Sequence, residues 1–283
     1  MANHPENNRY AFPLSIQIAM PESLDSPDFI NLLECLQRRG FHGVEMNITD
    51  FDRCRPSDFS ETLAAYGLKL TYIASGAYAK KNGLSLISED QAIRAQTVAE
   101  LKKILRFAAE MDAGVICGFI KGPAGGETNS SRVNILDSLK RLDPLVRELK
   151  APLLLEATNH YEATVANTLA QAALLIRPFE NPYFQILPDT YHMNISEAAS
   201  FQAFAVHLPL FKSFHVSDNN RLFPGLGAID FFPILAGLKG LGFSGSMGIE
   251  GNSRGNLAAE VEFAAEYLEN VSRRVALLAQ GNL

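Results

Sequence analysis

Eight short apolar runs, each followed by a stretch whose nonpolar residues recur at helical spacing, constrain this 283-residue chain more than any other feature. The runs are Leu14–Met20, Phe41–Ile48, Leu68–Ser75, Gly114–Lys121, Pro152–Glu156, Gln185–Asp189, Phe211–His215 and Ser246–Glu250. The spacing predicts helices over Asp28–Arg39, stopped by Gly40, and over Ser57–Tyr66, closed by Gly67. A third begins at Ser88, with Gln91 in a capping-box relation, and runs to Met111. Others cover Arg132–Leu149, Asn167–Ile176, Phe231–Leu241 and Leu257–Leu278. The Gly- and Lys-containing stretch after the third strand reads as a loop, and the interval between strands six and seven as helix-like.

From Met20 to Glu250 the chain takes seven steps over 230 residues, about 33 per step. That is the repeat of a (β/α)8 TIM barrel of ~250 residues. Apolar strands alternating strictly with helices argue for parallel pairing buried on both faces. The competing α/β design, an open doubly wound sheet, lacks its usual mark, because no GxGxxG turn follows the first strand. The expectation is one barrel domain over residues 1–283, with a polar extension over 1–13 and a closing helix within 257–283.

Composition narrows the partners. The net charge is −6 and Lys and Arg form no runs, so a phosphate-binding nucleic-acid surface is not expected. No stretch approaches the ~18 apolar residues of a membrane helix, and Met1–Tyr10 carries no apolar run like that of a signal peptide. Cys35, Cys54 and Cys117 are odd in number and widely spaced, and read as incidental thiols in a reducing compartment. A soluble cytoplasmic protein is the simplest expectation.

In a barrel, reactive groups sit at the C-terminal ends of the strands. Glu156 closes strand five, Asp189 strand six, His215 strand seven and Glu250 strand eight. A lone carboxylate there is often a cap or a salt-bridge partner, and a lone His a structural residue. Four ligand-type side chains on four consecutive strands point instead to one divalent ion: Mn2+, Mg2+ or Co2+, with Zn2+ as an alternative. Around them lie Asn159, Glu162, His192 and Arg221, suited to gripping the oxygens of a polyol. Glu45, Lys121 and Arg254 read as ordinary structural or solvated side chains. Lys121 and Arg254 nevertheless occupy strand-end positions where an anionic substrate group could be held, and Lys121 is kept as a substrate-binding candidate. The loop from Gly122 to Gly126 lacks the GK[ST] ending of a phosphate loop and reads as a turn.

At these residues the chain resembles a known family. Glu156-Ala-Thr-Asn-His-Tyr-Glu162, Asp189-Thr-Tyr-His192, His215-Val-Ser-Asp-Asn-Asn-Arg221 with Pro224-Gly-Leu-Gly-Ala-Ile-Asp230, and Ile249-Glu250 are similar to motifs of the sugar isomerase/epimerase family. Its members are xylose isomerase-like TIM barrels, and the D-tagatose and D-psicose 3-epimerase group is the nearest in pattern. The resemblance implies that Glu156, Asp189, His215 and Glu250 bind one Mn2+ or similar ion. It implies that Glu156 and Glu250 exchange protons with opposite faces of the substrate, and that Glu162, His192 and Arg221 hold its oxygens. A homodimer or homotetramer is implied too. The chain departs from the group in having no Trp. Its loop after strand four reads Phe119-Ile-Lys121-Gly-Pro, and Gly251-Asn-Ser-Arg254 follows Glu250. A phosphorylated, acidic or otherwise modified sugar therefore stands beside a free ketose as substrate.

Abstracting a proton beside a carbonyl builds charge on the carbonyl oxygen, and a chelating cation stabilises the enediolate. Returning the proton to the other face epimerises; returning it to the neighbouring carbon isomerises. Two rivals use the same residues: a lyase or dehydratase on a keto-polyol or keto-acid, and a sugar-binding barrel without catalysis. An apurinic endonuclease of this architecture needs more histidines than the six present.

Overall fold

In the computed structural model, residues 9–53, 55–125 and 129–281 are described; Met1–Asn8, Cys54 and Gly126 lie outside them. The strands are β1 (Leu14–Ala19), β2 (Gly43–Asn47), β3 (Lys69–Ala74), β4 (Gly114–Cys117), β5 (Leu153–Glu156), β6 (Phe184–Leu187), β7 (Ser213–Val216) and β8 (Ser246–Ile249). Every pairing between them is parallel, in the order β6-β5-β4-β3-β2-β1-β8-β7. Only β6 and β7 are not laddered. They meet through one parallel bridge between Asp189 and His215, with His215 N–H donating to the Pro188 carbonyl at 2.8 Å. The expected (β/α)8 barrel is thus observed, and its seam is closed by two of the expected metal ligands.

The helices are α1 (Pro27–Arg39), α2 (Pro56–Ala64), α3 (Gly76–Asn82), α4 (Gln91–Ala109), α5 (Asn129–Leu149), α6 (Leu169–Ile176), α7 (Thr190–Ser196), α8 (Ser200–His207), α9 (Phe231–Gly240) and α10 (Leu257–Ala279). In α1 the buried stripe is Phe29, Leu32, Leu33 and Leu36, and Gly40 ends it with φ at 74°. Three readings need correcting. The stretch after β3 forms α3, because Ser75 at the strand end turns the chain straight into a helical turn that Gly83 terminates. Helix α4 is capped by Asp90, whose carboxylate accepts from Ala92 N–H at 2.7 Å. Ser88 lies two residues earlier and accepts from Asp90 N–H at 3.2 Å, so no capping box forms there. The polar N-terminal extension ends before Tyr10, since Tyr10, Ala11 and Phe12 are buried in the core.

Side chains alternate across each strand, and the barrel interior divides in two. On β3 to β6 the inward residues Tyr72, Ile116, Leu154 and Leu187 form an apolar cluster of their own. On β7, β8, β1 and β2 the interior holds His215, Gly248, Ser15 and Glu45 instead. Two residues further along, the apolar half ends in Gly118, Glu156 and Asp189, so one layer of side chains lies beneath the site.

Candidate active site

One ligand atom from each of Glu156, Asp189, His215 and Glu250 lies within 4.8 Å of the others. Asp189 divides its work: Oδ1 caps α7 by accepting from Tyr191 N–H at 2.7 Å and His192 N–H at 3.3 Å. Oδ2 faces the cluster, 2.9 Å from Arg221 Nη1 and 3.8 Å from His215 Nδ1. Glu250 Oε2 is 2.7 Å from His215 Nδ1, and its other oxygen accepts from Arg221. Glu156 Oε1 is buried with no hydrogen-bond partner. Three carboxylates, one imidazole and an unpartnered buried oxygen fit a hard divalent cation.

Glu45, read above as an ordinary structural side chain, belongs to this site. It is fully buried, and its Oε2 lies 2.8 Å from His215 Nε2. Its Oε1 accepts from Ser15 Oγ at 2.8 Å. Holding Nε2 this way leaves Nδ1 as the nitrogen turned toward Asp189 and Glu250, the carboxylate–histidine arrangement that orients metal ligands. Gly248 makes the room: a Cβ there would come within 2.3 Å of Glu45 Oε1 and 3.1 Å of His215 Cδ2. An alternation reading of β2 against β1 was the signal that could have found Glu45, because it shares inward parity with Ser15.

The charges are mutually adjusted. Burial pulls the His215 imidazole down, but Glu45 and Glu250 outweigh it and hold its pKa well above the usual histidine range. Burial and the adjacent Glu250 carboxylate push Glu156 up. Glu250 feels the same burial, yet Arg221 and His215 keep it below the ordinary carboxylate range. Two facing carboxyl groups with opposed shifts are the usual arrangement for moving protons.

A cavity opens above this cluster, lined among others by Glu156, Glu162, His192, Arg221 and Glu250. Asn159, fully buried, orders that wall. Its Oδ1 accepts from Tyr161 N–H at 3.0 Å, so its amino group is the one that faces Glu162 Oε1 at 2.9 Å and His192 Nδ1 at 2.8 Å. A neutral His192 therefore carries its proton on Nε2, 3.5 Å from Glu156 Oε1. Arg221 sits at φ 62°, outside the ordinary helical and extended regions, and stacks 4.8 Å from the Tyr191 ring. The turn is held by Asp218, a buried carboxylate that sequence reasoning did not single out. It accepts backbone N–H groups from Asn219, Gly225, Gly227 and Ile229 at 2.9–3.0 Å.

The structure does not bring Lys121 into the cavity. Its ammonium is fully buried, donating to the Glu156 carbonyl and to Thr158 Oγ1, and burial pulls its pKa down to about 8. Arg254 is largely exposed and pairs with Glu260.

A sequence profile of the xylose isomerase-like TIM barrel family matches residues 33–271. The chain belongs to that family. Among its relatives is the ketose 3-epimerase of Arthrobacter globiformis, 26% identical over 226 residues that span 78% of this chain and 77% of that protein. The 3-dehydro-D-guloside 4-epimerase of Escherichia coli K12 is 32% identical over 126 residues, 44% of this chain and 48% of that one. An L-ribulose 3-epimerase structure matches with a TM-score of 0.81 at 20% identity, over 94% of this chain and 96% of its own. Several relatives of this xylose isomerase-like barrel are thus named epimerases, and its four-ligand cluster is suited to a divalent metal. Among the described residues no helix is long and apolar enough to cross a membrane.

Proposed function

We propose that this protein is a divalent-metal-dependent epimerase of ketose-type sugars, working by proton abstraction beside a carbonyl. The observation that carries the reading is the convergence of Glu156 and Glu250 on one cavity, on either side of Asp189 and His215. Mn2+ is the ion the mixed carboxylate–imidazole set is assigned, with Mg2+, Co2+ and Zn2+ as substitutes. A cation held there supplies positive charge where negative charge develops on the substrate carbonyl oxygen.

The chain's own residues do the rest. One of the two carboxylates takes the proton from the carbon beside the carbonyl, and the other carboxyl group returns one to the opposite face. His192 offers its Nε2 proton, and Arg221 its guanidinium, to the flanking substrate oxygens. Glu162, fixed by Asn159 and by Tyr191 OH at 3.1 Å, accepts from a substrate hydroxyl. Residues 1–283 are read as one domain, acting in the cytoplasm in carbohydrate metabolism as a homodimer or homotetramer.

The test is exchange in deuterated water with added Mn2+, using D-psicose, D-tagatose, D-fructose and L-ribulose and following the substrate carbons by NMR. Deuterium should enter beside the carbonyl together with the epimer, stop on chelation and resume with Mn2+. Glu156→Gln and Glu250→Gln should each lower turnover about 100- to 10,000-fold. Full turnover in either variant, or loss of water without epimer, sinks the proposal.

A further inference from the structure

The cavity wall has a second side, built from residues outside the ligand-bearing strands β5 to β8, and no role in proton transfer accounts for its chemistry. Gln17 and Asn47 line it, together with Ser75, Gly76 and Phe119. Gln17 lies two residues beyond Ser15 on β1, and Asn47 two beyond Glu45 on β2. Strand alternation therefore gives them the same inward parity, one layer nearer the mouth than the Ser15–Glu45 pair.

The two amides are joined. Asn47 Nδ2 donates to Gln17 Oε1 at 2.7 Å. That leaves Gln17 Nε2 and Asn47 Oδ1 without a partner among the described residues, both on half-buried side chains at the cavity wall. Turning both amides over exchanges the atoms but not the outcome: one amino group and one carbonyl still remain. A donor beside an acceptor complements a hydroxyl, which both gives and takes a hydrogen bond. A phosphate or carboxylate only accepts, and would confront the leftover carbonyl oxygen.

Charge on this side agrees with the amide geometry. The charged residues lining the cavity are Glu156, Glu162 and Glu250 against Arg221. Arg221 is engaged by Asp189 and Glu250 at the ligand end. Lys121 is enclosed beneath the wall, and Ser75 Oγ is spent on the Ile116 carbonyl. A phosphate seated by Gln17 and Asn47 would lose hydration without meeting a counter-charge.

We propose that Gln17 and Asn47 form a subsite for the hydroxyls of an uncharged polyol, and that this pair selects neutral ketoses over their phosphate esters. The inference rests on the epimerase reading for the placement of the carbonyl at the ligand end. It favours the free ketose among the substrate alternatives that the departures after β4 and β8 leave open.

The experiment compares D-fructose with D-fructose 6-phosphate, and L-ribulose with L-ribulose 5-phosphate, on the Mn2+-loaded full chain. Binding is read by calorimetry, and turnover by deuterium exchange. Each free sugar should exceed its ester by roughly 100-fold in kcat/KM, since unpaired polar groups reject mismatched substrates strongly. Asn47→Leu and Gln17→Leu should raise KM and Kd for the free sugars about 10-fold with kcat little changed, the signature of a contact made equally in ground and transition states. Asn47→Lys should bring the phosphate ester closer to the free sugar. Esters bound and turned over as well as the free sugars would overturn the proposal. So would Leu variants, folded by thermal melting, whose Kd stays within twofold. If no sugar exchanges deuterium but the free ones bind and the Leu variants weaken them, the epimerase reading fails and the neutral subsite stands. If no sugar binds at all, both fall.

Discussion

Removing the Glu45 carboxylate tests whether the polar half of the barrel interior exists to serve His215. Glu45 and His215 are both fully buried and 2.8 Å apart, with Ser15 supplying the other carboxylate oxygen's donor. In Glu45→Gln the shape is kept, but a neutral amide replaces the anion behind Nε2. The imidazole loses basicity, and nothing then forces Nδ1 to be the free nitrogen. Second-layer changes of this kind cost about 10- to 100-fold in metal affinity, which is about 1.4–2.7 kcal/mol. Glu45→Ala goes further by leaving a cavity and stripping the buried carboxylate from His215 Nε2 and Ser15 Oγ, and should destabilise the fold by about 3–5 kcal/mol. The assay is Mn2+ affinity by competition with a chelating indicator, paired with urea unfolding of the metal-free protein. Affinity is followed from about pH 6 to about pH 9, because metal and proton compete for the same nitrogen. Glu45 also raises the proton affinity of His215, so the deficit of the Gln variant should be widest at the alkaline end, where proton competition fades. A Gln variant that binds Mn2+ within twofold of the parent at the alkaline end would refute the assignment.

Two further predictions come from the scaffold. Gly248→Ala would place a Cβ 2.3 Å from Glu45 Oε1, so the Glu45–His215 pair must shift. The expected cost is about 1–3 kcal/mol in urea unfolding, as for other overpacked interiors, accompanied by weaker Mn2+ binding; an unchanged unfolding curve contradicts it. On the outer ring, Glu262 of α10 accepts from Arg39 Nε at 2.6 Å, Arg38 Nη2 at 2.9 Å and Cys35 Sγ at 3.1 Å, tying α10 to α1. Burial pushes Glu262 up, but those donors outweigh it and bring its pKa down to about 2. A depressed carboxyl stabilises the fold above its unfolded pKa and ceases to as pH falls through the folded one. Glu262→Gln should therefore cost stability at pH 6 and converge on the parent near pH 2. With the side chain 35% exposed, solvent screening limits the difference to about 1 kcal/mol. Equal stability at pH 6 sinks this prediction.

The barrel was legible because its signal is repetitive: apolar runs, helical spacing and glycine stops recur at a near-constant step. Glu156, Asp189, His215 and Glu250 were legible for a related reason, since a strand end in a barrel fixes where a side chain sits even when its partners are remote in sequence. Glu45 was missed because it lies in the middle of β2 rather than at its end, and its partner is 170 residues away. Only closing the cylinder brings β2 opposite β7. Lys121 misled in the opposite way: its position after β4 places it near the mouth, but the turn over Phe119–Lys121 directs the ammonium down onto β5. Helix α3 was hidden by Gly and Lys, residues equally at home in a loop.

The seam between β6 and β7 links fold to chemistry more directly than any other feature. A full ladder there would stitch the barrel shut with backbone hydrogen bonds. Instead, Pro188 offers no N–H, and among the described residues the backbone pairing across the seam is reduced to the Asp189–His215 bridge, with Thr190 Oγ1 bonding the Ser217 backbone just beyond it. The seam thus joins the two ligands before any cation is considered, and a cation held between them would add a cross-link where the ladder is thinnest. Binding to the folded state alone stabilises it by mass action, so metal should protect the barrel against urea. The protection should fall most sharply when Asp189 or His215, rather than a cavity-wall residue such as Gln17, is replaced. Amide exchange resolves the same point locally: Mn2+ should slow exchange at His215 N–H, the lone backbone donor to Pro188 across the seam, more than at the laddered strands β1 and β2. Equal slowing throughout would mean that the ion stabilises the barrel as a whole and does not clasp its seam.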